Sequence, residues 1–310
     1  MTSGPVRQPE WTAERSVGVS QAGELVGEQF PELRGAPVRQ LATGWDNTVY
    51  LVDGRWVFRF PRRDVAVPGV RREIAVLPSL APRLPLPVPV PELVGAPSPE
   101  FPWPFWGARL LPGRELAEAG LPDGDRVEAA CGVGRFLRAL HDPALVPLYA
   151  GVLPVDPLRR GDPAVRAARA SQRLDRLVCA GTWRADPAVE DLLARAERLG
   201  PDPGDPLVVH GDLHVRHLLV DGGGRAAAVI DWGDLCLADP AVDLSLAYGG
   251  FDGRARAALL GEYGGVGPER ELRARVLAVF LCAALAEYAA SDRRHRLLTE
   301  TLSGLRRAVS

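Results

Sequence analysis

The chain has 310 residues, 37 Lys+Arg against 39 Asp+Glu for a net charge of −2, and is 46% hydrophobic. That length can bury a large core, and the balanced charge leaves no footprint for nucleic acid. Cys131, Cys179, Cys236 and Cys282 are scattered without CxxC spacing, which favours reduced thiols over disulfides or structural zinc. A basic-then-apolar leader pattern is absent from the N-terminus, and the longest apolar run, residues 276–286, is shorter than the ~20 residues of a membrane span. A cytoplasmic protein with no nucleic-acid or membrane partner, monomer or homodimer, is expected.

Residues 40–50, QLATGWDNTVY, lead into Leu51 and Val52, turn at Asp53-Gly54 and return through WVFRF at 56–60. This reads as strand, loop, strand, turn, strand. Its loop carries a single glycine, Gly44, a weak phosphate-covering signal by itself. Arg59, on spacing alone, is expected to be an exposed strand residue. Residues 70–80 read as a helix. Residues 84–92, LPLPVPVPE, alternate prolines that favour extended backbone and exclude a central strand or helix, so a rigid connection is expected. Residues 102–113 have an apolar, strand-like centre and a Pro-Gly stop, with Trp103, Phe105 and Trp106 expected to pack. Helical spacing covers residues 126–141, 163–177, 189–199, 254–263 and 271–307.

The densest chemistry lies in residues 208–246, VVHGDLHVRHLLVDGGGRAAAVIDWGDLCLADPAVDLSL. Leu207 to Val209 form a short β-prone run that stops at His210-Gly211-Asp212, so Asp212 is presented on a loop. Leu218 to Val220 and Ala226 to Ile230 form a hairpin around Asp221-Gly222-Gly223-Gly224. Pairing Val220 with Arg225 sets Asp231 opposite His214 to His217. An aspartate before a turn is ordinarily a turn former. Here two carboxylates stand beside His210, His214 and His217, three of the five histidines in the chain. Such a pair can share a hydrated cation, and Mg²⁺ is usually held by one or two carboxylates plus substrate phosphates, so a phosphorylated ligand is implied. Asp239 and Asp243 read as structural, with Asp239-Pro240 marking a helix start that has Pro at its first position.

HGDLHVRHLLVD followed by VIDWGDLCLADPAVDLS resembles the aminoglycoside phosphotransferase family, in particular its 2''-aminoglycoside kinase and macrolide kinase branches. The resemblance implies an α+β, bilobal protein-kinase-like fold: a small antiparallel-sheet lobe over 1–107, a hinge over 108–113 and a larger, mainly helical lobe over 114–310. It makes Asp212 the catalytic base and Asp231 a Mg²⁺ ligand. His217, where the commoner form of the family has Asn, would bind the metal directly or through water. Arg59 falls at the place of the family's phosphate-binding lysine, in a chain without lysine, and Glu73 at that of its ion-pair partner. Gly44 would lie in the phosphate-covering loop, and backbone groups of Ala108, Arg109 and Leu110 would meet the purine of ATP or GTP. Residues 254–263 and 271–307 would shape the acceptor pocket, with Glu262, Glu287 and Asp292 as candidate amine binders.

The implied activity is transfer of a γ-phosphate to a hydroxyl of an antibiotic, an aminoglycoside, macrolide or nucleoside, giving resistance or self-protection. Two other classes compete. A metal-dependent phosphohydrolase would share GDxH but lacks a later GNH segment here, and a kinase-fold binding or regulatory protein would not need the intact pair of Asp212 and Asp231.

Overall fold

The computed structural model describes residues 13–196, 198–200 and 204–310. The chain forms two compact units: one runs to Ser79 and resumes over Pro89–Leu111, and the other takes Leu80–Val88 and Pro112–Ser310.

In the first unit, α1 (Val19–Gln29) precedes β1 (Val38–Thr43), β2 (Asn47–Val52) and β3 (Trp56–Pro61); then come α2 (Val67–Leu80), β4 (Leu93–Gly95) and β5 (Phe105–Arg109). The sheet order is β1-β2-β3-β5-β4, with antiparallel pairing throughout. Strand alternation explains the two faces. Trp56, Phe58 and Phe60 point to one side with Tyr50, Phe101 and Phe105 and join the α1 residues Leu25 and Val26 in a core. Phe60 stacks on Phe105 at 4.5 Å. Gly107 lies opposite Phe58, and a Cβ there would meet the Phe58 ring at 2.7 Å, so the crowded aromatic face requires glycine. Arg59 projects to the other face, which also carries the cluster of Val70, Trp106 and Ala108.

The second unit contains β6 (Arg114–Glu115), α3 (Leu116–Ala119), α4 (Val127–Leu140), α5 (Val146–Tyr149), α6 (Pro163–Cys179) and α7 (Pro187–Ala196). There follow β7 (Leu207–Val209), β8 (Leu218–Val220), β9 (Ala226–Val229), β10 (Cys236–Ala238), α8 (Ala241–Gly249), α9 (Gly253–Tyr263), α10 (Pro268–Ser291) and α11 (His295–Arg307). A small antiparallel-sheet unit and a larger, mainly helical one make the α+β class that the motifs implied. β8 is central in a β6-β8-β9 sheet, and β7 pairs with β10. Helix α10 packs against α6, α8 and α11, and α4 against α9.

Three local expectations are corrected. The hairpin register places Val220 opposite Ala226, with Asp221 N–H donating to the Arg225 carbonyl at 2.9 Å, because a bulge follows Leu219. The helical stretch at 271–307 is two helices, broken at Arg293, whose φ is +55°. Helix α10 is also longer than its uninterrupted apolar run. Its 24 residues include an 18-residue window of mean hydropathy 1.5, long and apolar enough to cross a membrane by length and composition. Half of that window is buried inside the protein, and just before it the buried Arg273 of the same helix pairs with Glu269 at 2.6 Å.

Candidate active site

Strand β7 ends where the chain turns to present Asp212. The turn is held from below by Asp243, wholly buried in α8, whose carboxylate accepts the N–H of His210 at 2.7 Å and of Gly211 at 3.0 Å. His141 Nε2 adds a third contact at 3.2 Å. Burial opposes the charge on Asp243, but these donors outweigh it and hold its pKa below the usual carboxylate value. Gly211 has φ +88°, and a Cβ there would meet the Asp234 carbonyl at 2.2 Å, so only glycine fits. The His210 ring donates through Nε2 to the Ile230 carbonyl at 3.0 Å and accepts the Asp212 N–H on Nδ1 at 3.2 Å. That pattern belongs to the neutral imidazole, consistent with a pKa lowered by burial, and makes His210 a pin between loop and hairpin.

The hairpin delivers the second carboxylate. Ile230 N–H donates to the His217 carbonyl at 2.9 Å, and Asp231 follows with φ +67°, a conformation that aspartate tolerates better than most residues. His217 spans the two acids: its Nδ1 donates to the Asp212 carbonyl at 2.8 Å and its Nε2 lies 3.3 Å from Asp231 Oδ2. Two electron-pair donors so placed need a proton or a cation between them. Burial works against a charged His217, yet the Asp231 carboxylate prevails and the pKa is raised. His214 stacks on His217 at 3.8 Å. Buried beside His217 and Arg216, it is held well below the ordinary histidine value, opposite in direction to His217.

Asp212 has a differently occupied oxygen on each side. Oδ1 accepts from Arg160 Nη1 at 2.7 Å, whereas Oδ2 faces His214 Nε2 at 3.6 Å and His217 Nδ1 at 3.9 Å. Arg160 Nη2 pairs with Asp234 Oδ2 at 2.8 Å. Burial raises the pKa of Asp234, partly offset by Arg160. Ligand atoms of Asp212, His214 and His217 lie within 4.8 Å of one another. Two imidazoles and one carboxylate suit a softer ion, whereas the half-exposed Asp231 carboxylate, with Asp212 on the far side of the same imidazole, is a hard oxygen of the kind that could hold Mg²⁺.

The model of the phosphotransferase enzyme family matches residues 37–277. The chain belongs to that family. The aminoglycoside 3'-phosphotransferase of Streptomyces fradiae is 34% identical over 143 residues, 44% of this chain and 49% of that protein. The uncharacterized protein YcbJ of Bacillus subtilis (strain 168) is 41% identical over 61 residues, 20% of each chain. These matches thus span half or less of the curated relatives. Among solved structures, the GDP and kanamycin complex of APH(2")-IIia is similar at a TM-score of 0.65 and 24% identity, over 92% of this chain and 97% of that one. A macrolide 2'-phosphotransferase type I gives a TM-score of 0.58 at 24% identity, over 95% and 98%. At these identities the likeness to solved structures is one of fold.

In the first unit, Arg59 is buried at 7% exposure, contrary to the expectation of an exposed strand residue. Its Nη1 lies 3.2 Å from Oε1 of the fully buried Glu73, which also accepts from Trp106 Nε1 at 3.1 Å. Gly44 is in the β1–β2 turn, its N–H on the Asn47 carbonyl at 2.8 Å and its own carbonyl accepting from Arg62 at 2.6 Å. Ala108 and Arg109 pair with β3 opposite Val57 and Trp56, and Arg109 stacks on Trp56 at 3.9 Å. The Leu110 N–H is taken by the Arg55 carbonyl at 2.8 Å.

The candidate amine binders are not gathered. Glu262 pairs with Arg135 at 2.9 Å, Glu287 is held between Arg173 and Arg176, and Asp292 is exposed at the end of α10. Sequence reading missed Arg160 and Asp234. The second was visible in DWGD, three residues after Asp231; the first had no signal, since it lies 52 residues from Asp212.

Proposed function

We propose that this phosphotransferase moves the γ-phosphoryl group of ATP or GTP to a hydroxyl of a small molecule, an antibiotic of the aminoglycoside or macrolide class, and so confers resistance or self-protection in the cytoplasm. The observation that carries the reading is the Asp212 carboxylate, held on a pinned loop with its Oδ2 beside the His217–Asp231 pair. Family membership and the kanamycin, GDP and macrolide names of its structural relatives support it.

Asp212 Oδ2 accepts the proton of the acceptor hydroxyl. The hydroxyl oxygen forms a bond to the γ-phosphorus while the bond from that phosphorus to the β–γ bridging oxygen breaks, and the nucleoside diphosphate leaves. Asp231, with His217 directly or through water, would hold Mg²⁺, which when bound offsets phosphate charge. Arg59, oriented by Glu73, neutralises phosphate oxygens, the Gly44 turn covers them, and Ala108, Arg109 and Leu110 offer backbone to the base. In this reading residues 1–107 bind nucleotide, 108–113 form the hinge and 114–310 carry catalysis and acceptor binding.

A panel of aminoglycosides, macrolides and nucleoside antibiotics, each with ATP and with GTP in the presence of Mg²⁺, tests it. The expected result is acceptor-dependent nucleotide consumption with one phosphoryl group added to the acceptor, and a kcat at least about a hundredfold lower in Asp212→Asn. Consumption independent of acceptor, or undiminished turnover in that variant, would overturn it.

A further inference from the structure

Arg160 lies between α5 and α6, and the surrounding chain is built to present it. Val155 bridges Leu237 of β10, Asp156 N–H donates to the Leu237 carbonyl at 2.8 Å, and Leu237 N–H returns to the Pro154 carbonyl at 2.9 Å. The Asp156 carboxylate then takes the N–H of Arg160 at 2.6 Å and of Gly161 at 2.8 Å. Arg166 of α6 closes the other side, donating to the carbonyls of Leu158 at 2.6 Å and Arg159 at 3.3 Å. Asp156 and Arg159 have φ of +28° and +50°. Such conformations in non-glycine residues persist where the surroundings over-determine the backbone, and they cluster at functional sites.

At the tip of this frame the guanidinium makes three contacts: Nη1 with the Gly211 carbonyl at 2.5 Å and Asp212 Oδ1 at 2.7 Å, and Nη2 with Asp234 Oδ2 at 2.8 Å. A planar fork can hold two carboxylates and a carbonyl at once, whereas a lysine ammonium is a single point charge. We propose that Arg160 is the positioning residue of the catalytic base: anchored on Asp234, it fixes Asp212 through Oδ1 so that Oδ2 is the oxygen offered to the acceptor hydroxyl. The inference rests on Asp212 being the proton acceptor. As Oδ2 takes the hydroxyl proton and the new O–P bond forms, the contact at Oδ1 keeps the carboxyl group from rotating away.

The test compares Arg160→Ala, Arg160→Lys, Asp234→Asn and Asp212→Asn in steady-state phosphorylation of whichever acceptor the panel identifies, with thermal melting alongside. Arg160→Ala should lose on the order of a hundredfold in kcat, the cost of misplacing a reacting group, with the KM for nucleotide unchanged. Millimolar guanidinium chloride should restore part of that loss, while Arg160→Lys stays impaired and Asp234→Asn falls in the same direction. A wild-type kcat in Arg160→Ala overturns the inference. So does a loss that guanidinium leaves untouched and Arg160→Lys fully repairs. Should Arg160→Ala fail to fold, wild-type kcat in both Arg160→Lys and Asp234→Asn overturns it equally. Undiminished turnover in Asp212→Asn would instead remove the base assignment itself, so the two failures are distinguishable.

Discussion

Asp243→Ala is the most demanding perturbation, because Asp243 touches neither of the proposed reacting carboxylates yet shapes the loop that carries one of them. Its carboxylate accepts two backbone N–H groups, at 2.7 and 3.0 Å, and lies 3.2 Å from His141 Nε2, all out of contact with water. Hydrogen bonds to a charged acceptor are worth about 1.5–3 kcal/mol each, so losing the two to His210 and Gly211 costs about 3–6 kcal/mol and leaves two buried donors unpaired. Against a total stability of about 5–15 kcal/mol, that is a large fraction. Asp243→Asn keeps one acceptor oxygen and should lose about half as much. Urea unfolding followed by circular dichroism measures both, as a fall in midpoint at constant slope. The folded pKa of Asp243 is depressed, so its stabilising effect is complete above the unfolded carboxylate value, near about 3.9, and is lost as pH falls through the folded value. The gap between wild type and Asp243→Asn should therefore be widest near neutral pH and close in acid. A loss below about 1 kcal/mol in Asp243→Ala, or a gap that grows as pH falls, would refute the role given to this carboxylate.

Three further outcomes follow from the geometry. Gly211→Ala pushes a Cβ into the Asp234 carbonyl, 2.2 Å away, at a φ of +88°; kcat should fall on the order of a hundredfold, with a lower melting temperature, and a variant as active as wild type would contradict the close approach. Asp231→Asn should raise the Mg²⁺ concentration needed for half-maximal turnover by roughly 10–100-fold, read from a metal titration after chelation; an unchanged requirement would move the metal elsewhere. Arg59→Met leaves the fully buried Glu73 without its 3.2 Å partner, so stability should drop by about 3–5 kcal/mol in urea and the KM for nucleotide should rise, whereas neither would change if Arg59 were an ordinary strand residue.

What could be read from the sequence was what its local pattern repeats. Alternating aromatics announced β3, and apolar spacing announced α4, α6 and α9, because each buries one face. The start of helix α8 showed at Asp239-Pro240, but its extent did not, since all nine of its residues are buried, which erases any amphipathic signal. Asp212, His217 and Asp231 were visible because a short hairpin brings them together within twenty residues of chain. The three-glycine loop of that hairpin accepts more than one register, so the exact pairing stayed hidden. Charges on helices are hard to read from sequence for a related reason. Glu287 looked available on its own helix, but its partners lie on α6, up to 114 residues away, and spacing along one helix cannot reveal a cation on another. The same reasoning applies with most force to Arg160. Between two turn-forming aspartates it resembles any loop arginine, and only the strained frame of 154–162, closed against β10, turns its guanidinium onto Asp212 and Asp234. A local motif therefore identifies the groups that meet substrate. The groups that hold them in place come from distant chain, and family motifs alone leave them unassigned.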